Sequence, residues 1–342
     1  MTQYNANMQD LLTRPLIITY VTMACNLRCN YCTVKNLLLK RPTDKLLEDK
    51  TLREIIERVP NIHLYLIGGE PLLYPELPKF VAYVARFGHR VSFDTNLTIG
   101  TQVLKRILDQ LDPSWVGYFD ISHHLEQRVP LKSMAEQVAM LRERGFAHFV
   151  KYIAVPSHFS EIERAMSFFE DQSSGVVLTI LYSANWNGNS YPRDYTHDQI
   201  NWLLRNMTLG CHTQQVFGGI KSAGIPCRAG QDAIMWENSD PNDFLIIPCC
   251  HGRAFPVDLN ETFFVNGKRG TKPCHVGECM AYPHFAYGIN GVASEIGRYE
   301  TVLTGGAPRL GIDRSVSYLE DLHNREYEFV YEQNYLDWRG RA

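Results

Sequence analysis

Three cysteines stand within eight residues, Cys25-Asn26-Leu27-Arg28-Cys29-Asn30-Tyr31-Cys32, in the order C-x3-C-x2-C. A [4Fe–4S] cluster is usually held by four thiolates, one for each iron. Three thiolates from a single tight loop leave one iron open. An open iron on a low-potential cluster can bind a ligand and reduce it. The other reading is a zinc knuckle, which needs a fourth and distant ligand. The loop follows a short apolar, β-branched run, Leu16 to Val21, so it lies at the C-terminal end of an expected strand.

Polar clusters follow later apolar runs in the same way. Gly68-Gly69-Glu70-Pro71 comes directly after Ile62–Ile67. Glycines there let backbone approach a ligand closely; the plainer reading is a Gly-rich strand-to-helix turn. Asp94-Thr95-Asn96 follows Val91–Phe93, and Ser122-His123-His124 follows Trp115–Ile121. Neighbours on a strand end point opposite ways, so at most one of His123 and His124 faces a pocket there. That histidine would act as a proton relay or substrate hydrogen-bond partner, and His123 is carried as the catalytic candidate.

The cysteine loop and the glycine turn one strand–helix unit later resemble the cluster loop and “GGE” motif of the radical S-adenosylmethionine (SAM) enzymes. The resemblance covers about residues 16–182. It implies that Cys25, Cys29 and Cys32 hold a [4Fe–4S] cluster whose free iron chelates the methionine end of SAM. An electron from that cluster would cleave SAM to a 5′-deoxyadenosyl radical. It further implies that Gly68, Gly69, Glu70 and Pro71 form the turn that holds the amino group of SAM. Thr95 and Asn96 match a frequent “TN” ending, and Ser122 stands where many members place a SAM-contacting serine. Tyr31, inside the cysteine loop, joins the cofactor-binding set. An external electron donor such as flavodoxin or ferredoxin is implied as a partner.

A second cysteine set lies in the Gly- and Pro-rich second half: Cys211, Cys227, Cys249, Cys250, Cys274 and Cys279. Cys227-Arg228-Ala229-Gly230, a hairpin-like stretch through 238–243, Pro248-Cys249-Cys250 and Pro273-Cys274 resemble the Twitch and SPASM auxiliary-cluster modules of the same enzymes. The resemblance implies that Cys227, Cys249, Cys274 and Cys279 ligate one auxiliary [4Fe–4S] cluster. Adjacent Cys249 and Cys250 cannot easily both serve one metal. The match departs from the family pattern in lacking the usual glycine before the second cysteine and in having too few cysteines for two clusters. The alternative is a structural zinc site using cysteine with His251 or His275. Cys250 is left over by this count, and its weak S–H bond makes it the candidate hydrogen donor should a substrate radical be quenched.

These residues need a scaffold, and the hydrophobic pattern supplies one. Leu52, Ile55, Ile56 and Val59 follow i, i+3, i+4, i+7 spacing, a helix with one buried stripe. Helical stripes recur around Phe80–Val84, Val103–Leu111, Met134–Leu141 and Ile162–Phe169, with strands at Phe149–Val155 and Val176–Leu181. Six strand–helix units predict a parallel sheet, an α/β partial (βα)6 barrel with its chemistry at the C-terminal strand ends. A small, irregular, cysteine-rich auxiliary-cluster domain follows. The expected organisation is 1–190 for the barrel, 191–210 for a connecting helix, 211–290 for the auxiliary module and 291–342 for a helical tail.

Of 342 residues, 45% are hydrophobic and the net charge is −3, which gives no broad electrostatic footprint for nucleic acid. No signal peptide or membrane span is visible, and nine cysteines without a secretory signal favour a reducing, cytoplasmic location. Only a short segment precedes Cys25, which shifts the expectation towards a small molecule, or a peptide delivered by a separate protein. The expected outcome is oxidation or radical coupling at an unactivated C–H bond, with epimerisation through a cysteine thiol as the alternative and a non-catalytic zinc scaffold behind both.

Overall fold

The protein is described from a computed structural model that covers Leu11, residues 14–32 and 46–216, and short stretches between 220 and 312. The chain divides into two compact units, Met1–Val150 with Arg228–Gly270 and Lys151–Cys227 with Thr271–Ala342. The expected auxiliary segment 211–290 is shared between them in this division.

Six parallel strands run in chain order: β1 (Leu16–Thr22), β2 (His63–Gly68), β3 (Arg90–Thr95), β4 (Val116–Ser122), β5 (His148–Ala154) and β6 (Gly175–Ile180). An unbroken sequential order is that of an opened barrel; a doubly wound sheet would reverse direction at a switch point. The fold class expected from the sequence is the one observed. The strands are apolar on both faces, as a covered parallel sheet requires; β4 is buried along its whole length.

In the first unit, the helices pack where their stripes predict. They are α1 (Lys50–Arg58), α2 (Leu77–Ala85), α3 (Thr101–Leu108) and α4 (Leu131–Glu143). α1 starts at Asp49, whose carboxylate accepts the Leu52 N–H at 2.9 Å and so satisfies one free helix donor. Its Leu52, Ile55 and Ile56 are fully buried. Phe93 and Phe119, opposite each other on β3 and β4, stack with centroids 4.8 Å apart.

One pairing could not be read from the sequence. The expected hairpin forms, with β11 (Ala233–Asp240) antiparallel to β12 (Asp243–Ile247). β11 also lies parallel on β1, with Leu16 opposite Ala233 and Thr19 opposite Trp236. β13 (Phe255–Pro256) adds beyond β12. The barrel sheet is thereby extended, and the edge of β1 is not left open.

In the second unit, α5 (Phe159–Asp171) is followed by β6, then by a hairpin of β7 (Ser183–Trp186) and β8 (Asn189–Tyr191). Helices α6 (His197–Asn206) and α7 (Gly210–Val216) come next. Tyr195 ties the ends of β5 and β6: its hydroxyl donates to the Ala154 carbonyl at 2.7 Å and accepts the Leu181 N–H at 2.9 Å. Four short strands then form two ladders, β10 (Pro226–Cys227) with β14 (Lys272–Pro273) and β9 (Ile220–Lys221) with β15 (Glu278–Cys279). Of the expected helical tail, 291–342, residues 313–342 lie outside the described residues.

Candidate active site at the cysteine loop

The cysteine loop leaves β1 without regular secondary structure. Cys29 is buried, Cys25 and Cys32 partly so. The Cys32 N–H donates to the Cys29 carbonyl at 3.2 Å, closing a turn. The Cys25 sulfur accepts from the Leu27 N–H at 3.4 Å and from Asn96 Nδ2 at 3.9 Å. Burial raises the Cys25 thiol and pushes the Cys29 thiol up to about 12. Each also feels the charge that Cys32 would carry. Thiols so placed give up their protons when a metal takes their place. Among the described residues no three His, Cys, Asp or Glu side chains already stand within reach of one metal ion. The fit to an iron–sulfur cluster rests on the donor set: three sulfurs on one loop, with Cys32 acting on both Cys25 and Cys29.

The glycine turn is built against this loop. The Gly69 N–H donates to the Thr22 carbonyl at 2.9 Å, and the Glu70 N–H to the Ala24 carbonyl at 2.7 Å. A Cβ on Gly68 would run into the Thr22 carbonyl oxygen, and one on Gly69 into that of Ala24. Gly68 also holds φ at 139°, a conformation that favours glycine. The two glycines therefore let the ends of β1 and β2 meet backbone to backbone.

Glu70 is fully buried. Oε1 accepts from the Thr95 hydroxyl at 2.5 Å and the Leu72 N–H at 3.0 Å, and Oε2 from the Asn96 N–H at 2.6 Å. It brackets the ends of β2 and β3, and Pro71 starts the short turn that it caps. Burial raises its carboxyl to about 7, against the opposing pull of those three bonds. Asn96 carries the link onward: Nδ2 donates to Asn26 Oδ1 at 3.0 Å, inside the cysteine loop. Asn26 in turn donates to the Thr98 carbonyl at 2.9 Å.

At the end of β4 the two histidines part, as strand alternation requires. His123 is 2% exposed and sets Nε2 on the Val129 carbonyl of its own loop at 3.1 Å. Burial lowers its basicity. His124 instead meets the cysteine loop, with Nδ1 2.8 Å from the Tyr31 hydroxyl. The structure thus brings His124 to Tyr31 of the cysteine loop and sets His123 on Val129. Ser122 donates to Asp94 Oδ1 at 3.2 Å, across to β3.

Further residues at the site escaped the sequence reading. Glu126 Oε1 accepts the Asn30 N–H at 2.5 Å. Gln127 pairs twice with Arg28, accepting its N–H and donating to its carbonyl, both at 3.2 Å. Their only sequence signal is a polar run after a strand end. Deeper in the sheet, the Tyr65 hydroxyl donates to Asp120 Oδ2 at 2.7 Å, and Asp120 stands in register with Asp94. His63 Nε2 lies 2.8 Å from the Ser92 hydroxyl and, fully buried, is lowered to about 3.

The second cysteine set is described in part. β10 places Cys227, buried, opposite Lys272, two residues before half-buried Cys274. The Gly224 N–H donates to the Cys274 carbonyl at 2.8 Å. Cys279 lies on β15 opposite Ile220, in the register that the first ladder sets. Cys249 and Cys250 lie outside the described residues.

The family model of the Radical SAM superfamily matches residues 19–153, from β1 to β5. The chain is 26% identical over 105 residues to an Fe-coproporphyrin III synthase of Methanosarcina barkeri, covering 30% of this chain and 26% of the relative. It is 24% identical over 216 residues to a GTP 3′,8-cyclase of Lactiplantibacillus plantarum, covering 61% of this chain and 60% of the relative. It therefore spans less than two thirds of the length of each of these curated relatives. Its fold is similar to that of native anSMEcpe with bound AdoMet and Cp18Cys peptide. That match has a TM-score of 0.51 at 12% identity and covers 96% of this chain and all of that one.

Proposed function

We propose that this Radical SAM superfamily domain reductively cleaves SAM and uses the resulting radical to take hydrogen from an unactivated C–H bond. The observation that carries the reading is the three-thiol loop entered through Thr22 and Ala24, whose carbonyls are bonded to the Gly69 and Glu70 N–H groups, inside the matched span. A [4Fe–4S] cluster on Cys25, Cys29 and Cys32 would supply the electron for the cleavage.

The chain's own residues then have separable tasks. Gly68 and Gly69 bring bare backbone to the loop, and Pro71 sets the turn after it. Glu70 fixes Thr95 and Asn96, so that the ends of β2 and β3 keep one geometry. Asn96 touches the cysteine loop and Tyr31 lies within it, while Ser122 would mark the β4 side of the SAM pocket. His123, bonded to the Val129 carbonyl, is proposed as the proton relay, with His124, which meets Tyr31, as the alternative.

Cys227, Cys249, Cys274 and Cys279 are proposed as ligands of an auxiliary [4Fe–4S] cluster within a Twitch/SPASM-like segment, 211–290. The register joining β9–β10 to β14–β15 supports the grouping of three of them. The barrel would then be 1–190, the connecting helix 191–210 and the tail 291–342. An auxiliary cluster can accept an electron from a substrate radical, so oxidation or coupling of a small-molecule or peptide-derived substrate is the proposed outcome. The peptide bound in the anSMEcpe structure supports keeping a peptide in that class. A flavodoxin- or ferredoxin-type protein would supply electrons. Among the described residues no helix is long and apolar enough to cross a membrane.

The test is anaerobic SAM turnover with a low-potential reductant. Wild type should form 5′-deoxyadenosine, and the variant with Cys25, Cys29 and Cys32 all replaced by alanine should not. Equal formation by both would end the proposal. Solvent deuterium at an inverted substrate carbon, lost in Cys250→Ala, would replace oxidation with epimerisation.

A further inference from the structure

We infer that Glu126 and Gln127 are positioning residues for the cysteine loop, and that the Glu126 carboxylate lowers the reduction potential of the cluster bound there. The second half rests on the proposed function, because it requires a [4Fe–4S] cluster on Cys25, Cys29 and Cys32; the first half does not.

The loop has little structure of its own. Its internal backbone pairing is the one turn from Cys32 to Cys29, and it lies outside every helix and strand. Two of its peptide N–H groups, those of Arg28 and Asn30, are instead held by side chains 99 and 96 residues later. Gln127 clasps the Arg28 backbone at both its N–H and its carbonyl, and its Nε2 also donates to Glu126 Oε1 at 2.9 Å. Glu126 Oε1 is therefore an acceptor for both the loop and its partner in the clasp. The bond from His124 to Tyr31 adds a third tie from the same segment. Residues 124–127 form a strap fixed at the end of β4, and it grips the stretch between Cys25 and Cys32.

Charge adds a second consequence. Glu126 sets its carboxylate on the Asn30 N–H, one residue past Cys29 and two before Cys32. Among the described residues its Oε2 is buried and accepts no hydrogen bond, and no cation pairs with the carboxylate. A negative charge beside a thiolate-bound cluster opposes the entry of an electron. Cluster potentials follow net charge, hydrogen bonding and exposure, so the effect is a lower potential on the Cys29 side. A lower potential makes the reduced cluster the stronger reductant towards SAM.

The two roles separate in three variants. Glu126→Gln keeps the acceptor for the Asn30 N–H but removes the charge. Glu126→Ala removes both, and Gln127→Ala removes the clasp alone. Hydrogen exchange on the iron-free protein should show peptides spanning 25–32 exchanging roughly tenfold faster in both alanine variants, and as in wild type in Glu126→Gln. Redox titration of the reconstituted proteins, followed by electron paramagnetic resonance, should show a positive shift in midpoint potential in Glu126→Gln. Unchanged exchange in both alanine variants would overturn the positioning role. A wild-type potential in Glu126→Gln would overturn the tuning role. A wild type that takes up no [4Fe–4S] cluster would instead remove the proposed function, and the tuning role with it.

Discussion

At the residue scale the site is a chain of hydrogen bonds that begins with one buried carboxylate. Glu70, just past the end of β2, touches β3 and, through Asn96, the cysteine loop. Its carboxyl lies near 7 because burial outweighs three donors. Between its ordinary value of 4.5 and about 7, the folded chain holds a proton that the unfolded chain releases. Stability from this group is therefore full at low pH and declines as pH rises through that window, by about 3 kcal/mol for a shift of this size. Glu70→Gln has no charge to titrate, so wild type should lose stability relative to it between pH 5 and 8. Denaturant midpoints measured across that range check this; parallel slopes would show that Glu70 ionises within the fold. The sequence made Glu70 visible through its glycines. It could not show that both carboxylate oxygens are committed to the protein, because two of their three donors, Thr95 and Asn96, come from the end of a later strand. For the same reason it left His123 and His124 undecided, since only the fold reveals which ring meets Tyr31. Removing that hydroxyl in Tyr31→Phe should cost about 1 kcal/mol, the worth of one such bond. The cost should vanish in a His124→Phe background, and a double-mutant cycle reads it directly.

At the element scale, strands and helices were legible wherever the side-chain pattern was local. The buried stripe of α1 and the two-sided apolar runs of β2 and β4 state their own burial. The contact of β11 with β1 was not legible. It joins residues 16–19 to 233–236, and no periodicity within either segment encodes a partner so distant. The turn after β2 sits between these cases. Its glycines announce a close approach, but only the structure shows that the Ala24 carbonyl fills the space beside Gly69. Gly69→Ala must push one backbone away from another, which ordinarily costs roughly 1–3 kcal/mol. The expected result is a lower denaturation midpoint together with poorer iron retention after reconstitution. Full retention of iron at wild-type stability would show that the turn and the loop are not coupled.

At the scale of the whole molecule, the sequence announced two cysteine sets, and the described residues complete the first further than the second. Cys25, Cys29 and Cys32 lie on one loop with mapped neighbours, whereas Cys227 and Cys279 share a register, Cys274 follows β14 directly, and Cys249 lies outside the described residues. Two clusters require about eight irons and eight sulfides per chain. Roughly four irons with one tightly held zinc would assign the second set to a structural metal instead. The central claim concerns the first set, and it is that three thiols leave one iron open to SAM. The direct measurement is the electron paramagnetic resonance spectrum of the reduced, reconstituted protein, with Cys227 and Cys274 replaced by alanine so that one cluster dominates, recorded before and after SAM is added. The account predicts a [4Fe–4S]+ signal whose g-values shift with SAM and which is absent when Cys25, Cys29 and Cys32 are replaced as well. A signal indifferent to SAM, or one that survives that replacement, would contradict it.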